Sequence, residues 1–217
     1  MSSPAEGIRI AGTAVVVRDG AEGLETLMLR RPAKGSFANA WVFPGGRVDD
    51  ADRVGADGEP DAAARAAIRE TAEEAGIRIH ALQLLSRWVP PPDTPVRYRT
   101  WFFLAREHGD AVRPNPGEIE EAVWMSPREA FVRQMAGGFT LVPPTWVTLH
   151  SLLDADTVDE AFARLAEPAL YETRLLQFDQ GVRAVWAGDE EHPDAPGAAG
   201  ARHRLSMGDL PWVYERS

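Results

Sequence analysis

Residues 69–77 read Arg-Glu-Thr-Ala-Glu-Glu-Ala-Gly-Ile and close the most regular helical stretch of the chain. Glu70, Glu73 and Glu74 fall at helical offsets zero, three and four, so their Cβ atoms share one face about 5–6 Å apart. Like charges at that spacing repel, and an isolated helix gains nothing from them. Alone, such a cluster is a solvated face. A hard divalent cation such as Mg²⁺ would turn the repulsion into binding, because it takes carboxylate oxygens and is commonly shared with substrate phosphates. The second informative segment, Phe43-Pro44-Gly45-Gly46, lies upstream and ends a short apolar run.

The rest of the chain supplies a frame for these two segments. Residues 61–75 are predicted to be helical, with Asp61 as N-cap, alanines through the body and Gly76 at the left-handed C′ position. Ala63, Ala66, Ala67 and Thr71 then face the core, and their small size lets the helix lie close to a sheet. Upstream, β-branched and apolar residues predict strands at 8–18 and 24–31, joined as a hairpin around Asp19-Gly20, and a short strand at 41–43. Residues 48–60 read as a polar loop. Downstream, strands are predicted at 77–89 and 96–106, with Arg97, Arg99 and Trp101 on one face and Tyr98, Thr100 and Phe102 on the other. An extended segment follows at 118–125. Ser126-Pro127-Arg128-Glu129 is a capping box with proline at the first helical position. Helices are expected from there to Gly137-Gly138, from Pro143-Pro144 to about Leu153, and from Thr157 to about Ala166. Asp179-Gln180-Gly181 marks a hairpin between 175–178 and 182–186. Residues 189–202 read as a loop, and 212–214 as a closing edge strand. Runs of strands with a few helices between them give an α+β chain.

Composition narrows the partners. The chain has 217 residues, enough for one domain with an extension, and we divide it into a core at 1–140 and a helical and hairpin extension at 141–217 packed on the same domain. The formal net charge of −10 argues against nucleic acid or a membrane surface as partner. The absence of cysteine excludes disulfides, thiolate catalysis and zinc–cysteine sites. Residues 1–7 carry no basic and apolar signal pattern, so a cytoplasmic protein is expected. The five histidines are scattered without ligand spacing and read as surface or packing residues.

Taken together, these residues resemble the Nudix hydrolases. The family signature is a Gly, five residues, a Glu, seven residues, then Arg-Glu-apolar-x-Glu-Glu-x-Gly-apolar. Arg69, Glu70, Glu73, Glu74, Gly76 and Ile77 match it. Thr71 stands where an aliphatic residue is usual. Asp61 stands where the first Glu is expected, and Gly55 lies the right distance before it by coincidence. Gly45-Gly46 are the structural glycines, with 47–60 an expanded loop. Arg30-Arg31-Pro32, Phe37, the run from Trp41 to Asp49, the long insertion and Pro143-Pro144-Thr145-Trp146 are similar to the branch that contains the peroxisomal coenzyme A diphosphatases.

The resemblance implies an α/β/α sandwich around a mixed sheet. It also implies hydrolysis of a nucleoside diphosphate linked to another group, with Mg²⁺ or Mn²⁺ as cofactor. Glu70, Glu73 and Glu74 would be metal ligands, with a carbonyl from Gly45 or Gly46. Arg69 would orient carboxylates, and Asp61 would support Arg69. Glu70 and Glu118 are both candidates for the general base. Arg31, Phe37, Arg97 and Arg99 are candidate substrate-binding residues. Coenzyme A or an acyl derivative is the leading substrate. The alternatives are ADP-ribose, a dinucleotide or a nucleotide sugar, or a module that binds a nucleotide without cleaving it. Residues 143–217 would form a homodimer interface or a lid.

Overall fold

The computed structural model describes residues 7–34 and 37–217. In chain order, β1 (Arg9–Gly20) and β2 (Gly23–Arg30) form the expected hairpin, paired from Val17 opposite Thr26 to Gly20 opposite Gly23. There follow β3 (Ala40–Val42), β4 (Gly45–Arg47), a short α1 (Asp50–Arg53) and the long α2 (Gly58–Ala75). Next come β5 (Gln83–Val89), β6 (Tyr98–Arg106), β7 (Glu121–Met125), α3 (Pro127–Met135), β8 (Thr140–Leu141), α4 (Pro143–Ser151) and α5 (Val158–Ala163). The chain finishes with β9 (Ala169–Glu172), β10 (Arg174–Phe178), β11 (Gly181–Val185), β12 (His203–Met207) and β13 (Val213–Arg216).

The main sheet runs β8-β3-β2-β1-β6-β5-β9, with β4 added to β1 and β7 to β2. It is mixed: β1 pairs parallel to β6 and antiparallel to β2. Alternation along β1 sends Ala14 and Val16 to one face and Val15 and Val17 to the other, and all four are buried. The first face packs against the alanines of α2. The second packs against α3, α4, α5 and the small C-terminal sheet, β10-β11-β12-β13. The mixed sheet is thus covered on both faces, as expected of an α/β/α sandwich.

Small residues set how closely α2 approaches. Ala62, Ala63, Ala66 and Ala67 are buried, and a Cβ on Gly12 of β1 would lie only 1.8 Å from the Ala63 carbonyl oxygen. Backbone thus rests directly on backbone, which fixes the height of the glutamate-bearing helix above the sheet.

Several boundaries depart from the sequence expectations. The helix expected to start after Asp61 begins at Gly58 with Asp57 as N-cap, because Pro60 is tolerated in a first turn that needs no amide partner. Residues 77–82 form no strand, although Ile77 and Ile79 are buried; their burial supplied the apolar pattern without a ladder. At α3 the Ser126 hydroxyl accepts from the Glu129 amide as expected, but the Glu129 carboxylate turns to Arg133 at 2.6 and 3.0 Å and does not complete the box.

Residues beyond 143 share the main core. Trp88 of β5 stacks on Tyr171 of β9 with ring centroids 3.8 Å apart, and Trp186, His203 and Tyr214 pack around that pair. The loop between β11 and β12 is pinned by fully buried Asp189, which accepts from the Arg204 guanidinium and from the amides of Glu191 and His203. Burial raises the Asp189 carboxyl, but these donors outweigh it and hold the pKa down to about 2.

Candidate active site

The glycine turn and α2 are clamped face to face. Gly45 and Gly46 lie on β4, paired with Thr13 and Gly12 of β1. Gly45 has φ +156°, and a Cβ there would meet the Gly12 carbonyl oxygen at 2.5 Å, so only glycine fits. Its amide donates to Glu74 Oε2 at 2.9 Å. At Gly46 a Cβ would sit 2.3 Å from the Glu70 carboxyl carbon, so Glu70 occupies the space that a side chain would take. The structure thus directs the N–H of Gly45 at the acidic cluster. Gly46→Ala would displace the Glu70 carboxylate without touching the core. Turnover is expected to fall about 10- to 100-fold with little loss of thermal stability, measured by steady-state kinetics beside a melting curve.

Arg69 organises the other side of the cluster. Its Nη1 donates to Glu70 Oε1 at 2.9 Å and to Glu73 Oε2 at 3.0 Å. Its Nε and Nη2 donate to the two oxygens of Asp52 at 3.3 and 3.0 Å, and Nη2 also reaches the Arg47 carbonyl oxygen at 3.0 Å. A planar fork spread over carboxylates in this way holds them at fixed positions. The arginine is held firmly protonated, first by its bonds to Asp52 and then by Glu70.

Asp52 is a residue the sequence reading missed. Asp61, expected to support Arg69, accepts instead from the Asp57 amide at 2.9 Å and from Arg65 at 3.0 Å. Asp52 takes the expected role, buried, with a third bond from the Asp49 amide at 2.9 Å. Burial pushes the Asp52 carboxyl up, but Arg69 and the Asp49 amide more than offset this and leave it below the ordinary carboxylate range. The signal was present: five residues separate Gly46 from Asp52, as the signature requires, and the insertion lies after that acid, in 53–68.

Glu74 is the most buried of the three glutamates, with 5% exposure. Burial pushes its pKa up to about 7, opposed by the Gly45 amide and Arg31 and reinforced by the charges of Glu70 and Glu118. Glu70 is also raised, chiefly by burial, with Arg69 opposing. Glu118 is carried by a loop fixed to the C-terminal end of α2: the amides of Arg113 and Asn115 donate to the carbonyls of Ala75 and Glu74 at 2.7 and 2.9 Å. Glu118 itself accepts from the Asn115 side chain at 3.0 Å.

The substrate candidates separate. Arg31 Nη1 lies 3.5 Å from Glu74 Oε1, at the cluster. Phe37 lies in the β2–β3 loop, 62% exposed and with φ 57°, a left-handed conformation uncommon for a bulky residue. Arg97 and Arg99 are not brought to the glutamates. Arg97 donates to the Pro90 carbonyl oxygen at 3.3 Å, and Arg99 to Glu59 at 2.9 Å in the first turn of α2. Glu59 lies about 16 Å along the helix from Glu70. The Arg99 side chain lies on the α2 face of β6 as alternation requires, but at the far end of the helix, while Arg97 precedes β6 and turns to Pro90.

The fit to a divalent cation rests on donor chemistry. Among the described residues no three acidic or histidine side chains enclose a cation as they stand. Yet among the described residues no hydrogen bond reaches Glu70 Oε2 or Glu73 Oε1, and Glu74 Oε1 meets only Arg31 at 3.5 Å. These are hard oxygen donors, and a Mg²⁺-like ion keeps several waters and needs few protein ligands. Burial disfavours the charge on Glu74, and a cation beside it would relieve this.

A family model described as the NUDIX domain matches residues 8–143. The chain belongs to the Nudix hydrolases. Among solved structures, a NUDIX hydrolase from Alicyclobacillus acidocaldarius is 28% identical with a TM-score of 0.66, over 74% of this chain and 97% of that one. A MutT NUDIX hydrolase from Burkholderia pseudomallei is 24% identical with a TM-score of 0.52, over 67% and 98%. The NUDIX domain of Shewanella oneidensis NrtR, solved with ADP ribose, is 15% identical with a TM-score of 0.55, over 75% and 91%. The last two likenesses establish the fold alone. A comparison with curated proteins gave no match. Nudix hydrolases generally use divalent metal ions.

Proposed function

We propose that this Nudix hydrolase cleaves the diphosphate of coenzyme A or an acyl derivative in the presence of Mg²⁺ or Mn²⁺, releasing 3′,5′-ADP and a phosphopantetheine product. The observation that carries a diphosphatase reading is the double clamp on the acidic helix face, Gly45 on Glu74 and Arg69 on Glu70 and Glu73. It holds three carboxylates where mutual repulsion would otherwise spread them. Bound cations supply charge neutralisation of the phosphates and a nucleophilic water. The protein's own groups do the rest: Arg69 and Asp52 orient the carboxylates, and Glu118 or Glu70 stands ready to take a proton from water. Arg31 sits at the cluster edge, within reach of a phosphate oxygen. Support for coenzyme A comes from the sequence run Arg30-Arg31-Pro32 through Asp49 and the insertion after it.

The test is a product-resolved screen of coenzyme A, ADP-ribose, diadenosine polyphosphates and nucleotide sugars with each metal. Coenzyme A should give the highest kcat/KM with the two products named. Faster cleavage of ADP-ribose, the ligand in the Shewanella oneidensis structure, would replace that substrate; binding without product in Mn²⁺ would make the chain a nucleotide sensor. The homodimer remains part of the proposal, tested by light scattering.

A further inference from the structure

Next to the acidic cluster lies a cavity of about 380 Å³, lined by Arg31, Pro32, Ala33, Lys34, Gly117, Glu118 and Glu120. Its size falls at the lower end of the range of about 300–1,000 Å³ for small-molecule sites. No aromatic side chain lines it, so it offers nothing for a nucleobase to stack on. Its charged groups, by contrast, are almost all engaged by protein. Arg31 faces Glu74 at 3.5 Å, Glu118 accepts from Asn115 at 3.0 Å, and Glu120 lies 3.3 Å from Arg30. Lys34 is the exception. Among the described residues no hydrogen bond or ion pair reaches its ammonium. It is the single lysine of a chain whose net charge is −10. An anionic substrate approaching such a surface is repelled overall and must be drawn in by local cations.

We propose that Lys34 is a specificity-determining residue, whose ammonium takes a phosphate monoester that the substrate carries in addition to its scissile diphosphate. Divalent cations held by the glutamates would neutralise the diphosphate but leave such a monoester without a partner. Lys34, three residues along the loop from Arg31 and so within about 10 Å of it, supplies one. The inference rests on the diphosphatase reading and narrows it: phosphorylated nucleotides are preferred over their dephosphorylated counterparts.

Because Lys34 is the only lysine, reductive methylation with ¹³C-formaldehyde labels it and the N-terminal amine alone. The Lys34→Ala protein, labelled in parallel, assigns the two signals. The labelled full-length protein in Mg²⁺ is titrated with 3′,5′-ADP and with 5′-AMP, which differ by one phosphate monoester. The Lys34 methyl signal should move with 3′,5′-ADP, at a concentration about 10-fold below that needed for AMP, as expected for one charge-assisted hydrogen bond. In calorimetry, Lys34→Ala should lose that preference and Lys34→Arg should keep most of it. In kinetics, the ratio of kcat/KM for coenzyme A over dephospho-coenzyme A should fall about 10-fold in Lys34→Ala, through KM. A motionless signal, or a Lys34→Ala protein with the wild-type preference, overturns the proposal. Were wild type to cleave neither substrate while the Lys34-dependent preference held, the coenzyme A reading would fall and the Lys34 site would stand. Cleavage of coenzyme A with an unaltered ratio in Lys34→Ala would overturn the Lys34 site and leave the coenzyme A reading standing.

Discussion

Glu74→Gln is expected to lower metal-dependent turnover by at least about 100-fold, since a metal-bound charge contributes several kcal/mol to the transition state. The same change should make the metal-free protein more stable at neutral pH. The second effect separates a ligand from a structural carboxylate. Glu74 is buried, and its folded pKa of about 7 stands above the ordinary value of 4.5. A carboxyl raised in this way is fully stabilising only below its unfolded pKa, and that contribution is lost as pH rises through the folded one. Between pH 4.5 and 7 the wild type should therefore lose up to about 3 kcal/mol relative to the glutamine variant. Glutamine keeps an oxygen for the Gly45 amide, so the clamp survives. Urea denaturation at pH 5 and pH 8, in EDTA, measures the stability arm. A variant that is less stable at pH 8 and fully active would show that Glu74 serves packing.

Asp52→Asn carries the second large expected effect. Arg69 commits two of its donors to Asp52 and another to Glu70 and Glu73 together. With Asp52 neutral, the guanidinium loses the anchor that aims it, and the ligand carboxylates lose their spacing. Residues that orient metal ligands cost about 10- to 100-fold when changed, and that loss is expected in kcat/KM with a rise in the Mn²⁺ concentration needed for half activity. Asp61→Asn provides the comparison. Asp61 lies on the exposed face with Arg65 and should leave both quantities at wild-type values. A loss in Asp61→Asn with Asp52→Asn unaffected would return the supporting role to Asp61.

The two acids also show what a sequence can and cannot reveal. The glutamate face of α2, its alanine-rich underside and its left-handed Gly76 were legible because they follow helical period and capping chemistry, which are local. So was the β1–β2 hairpin. Asp52 was overlooked because residues 53–68 stretch the interval between it and Arg69, although its five-residue spacing from Gly46 marked it. Strands β8 and β9 were missed for a related reason: each is short and exists through pairing with β3 or β5. Alternation placed Arg99 on the correct face of β6, but not at which end of α2; that depends on Glu59. Glu118 could be located near the site only once the Arg113 and Asn115 amides were seen to tie its loop to α2.

The central claim is that Glu70, Glu73 and Glu74 hold divalent cations. Anomalous diffraction from crystals grown with Mn²⁺ and a non-hydrolysed diphosphate analogue tests it most directly. Peaks should lie within about 2.0–2.3 Å of carboxylate oxygens of Glu70 and Glu74, with the analogue's phosphates on their far side, and should be absent from Glu74→Gln crystals. Mn²⁺ bound elsewhere, or Arg31 still paired with Glu74 and no Mn²⁺ at the glutamates with the analogue bound, would contradict it.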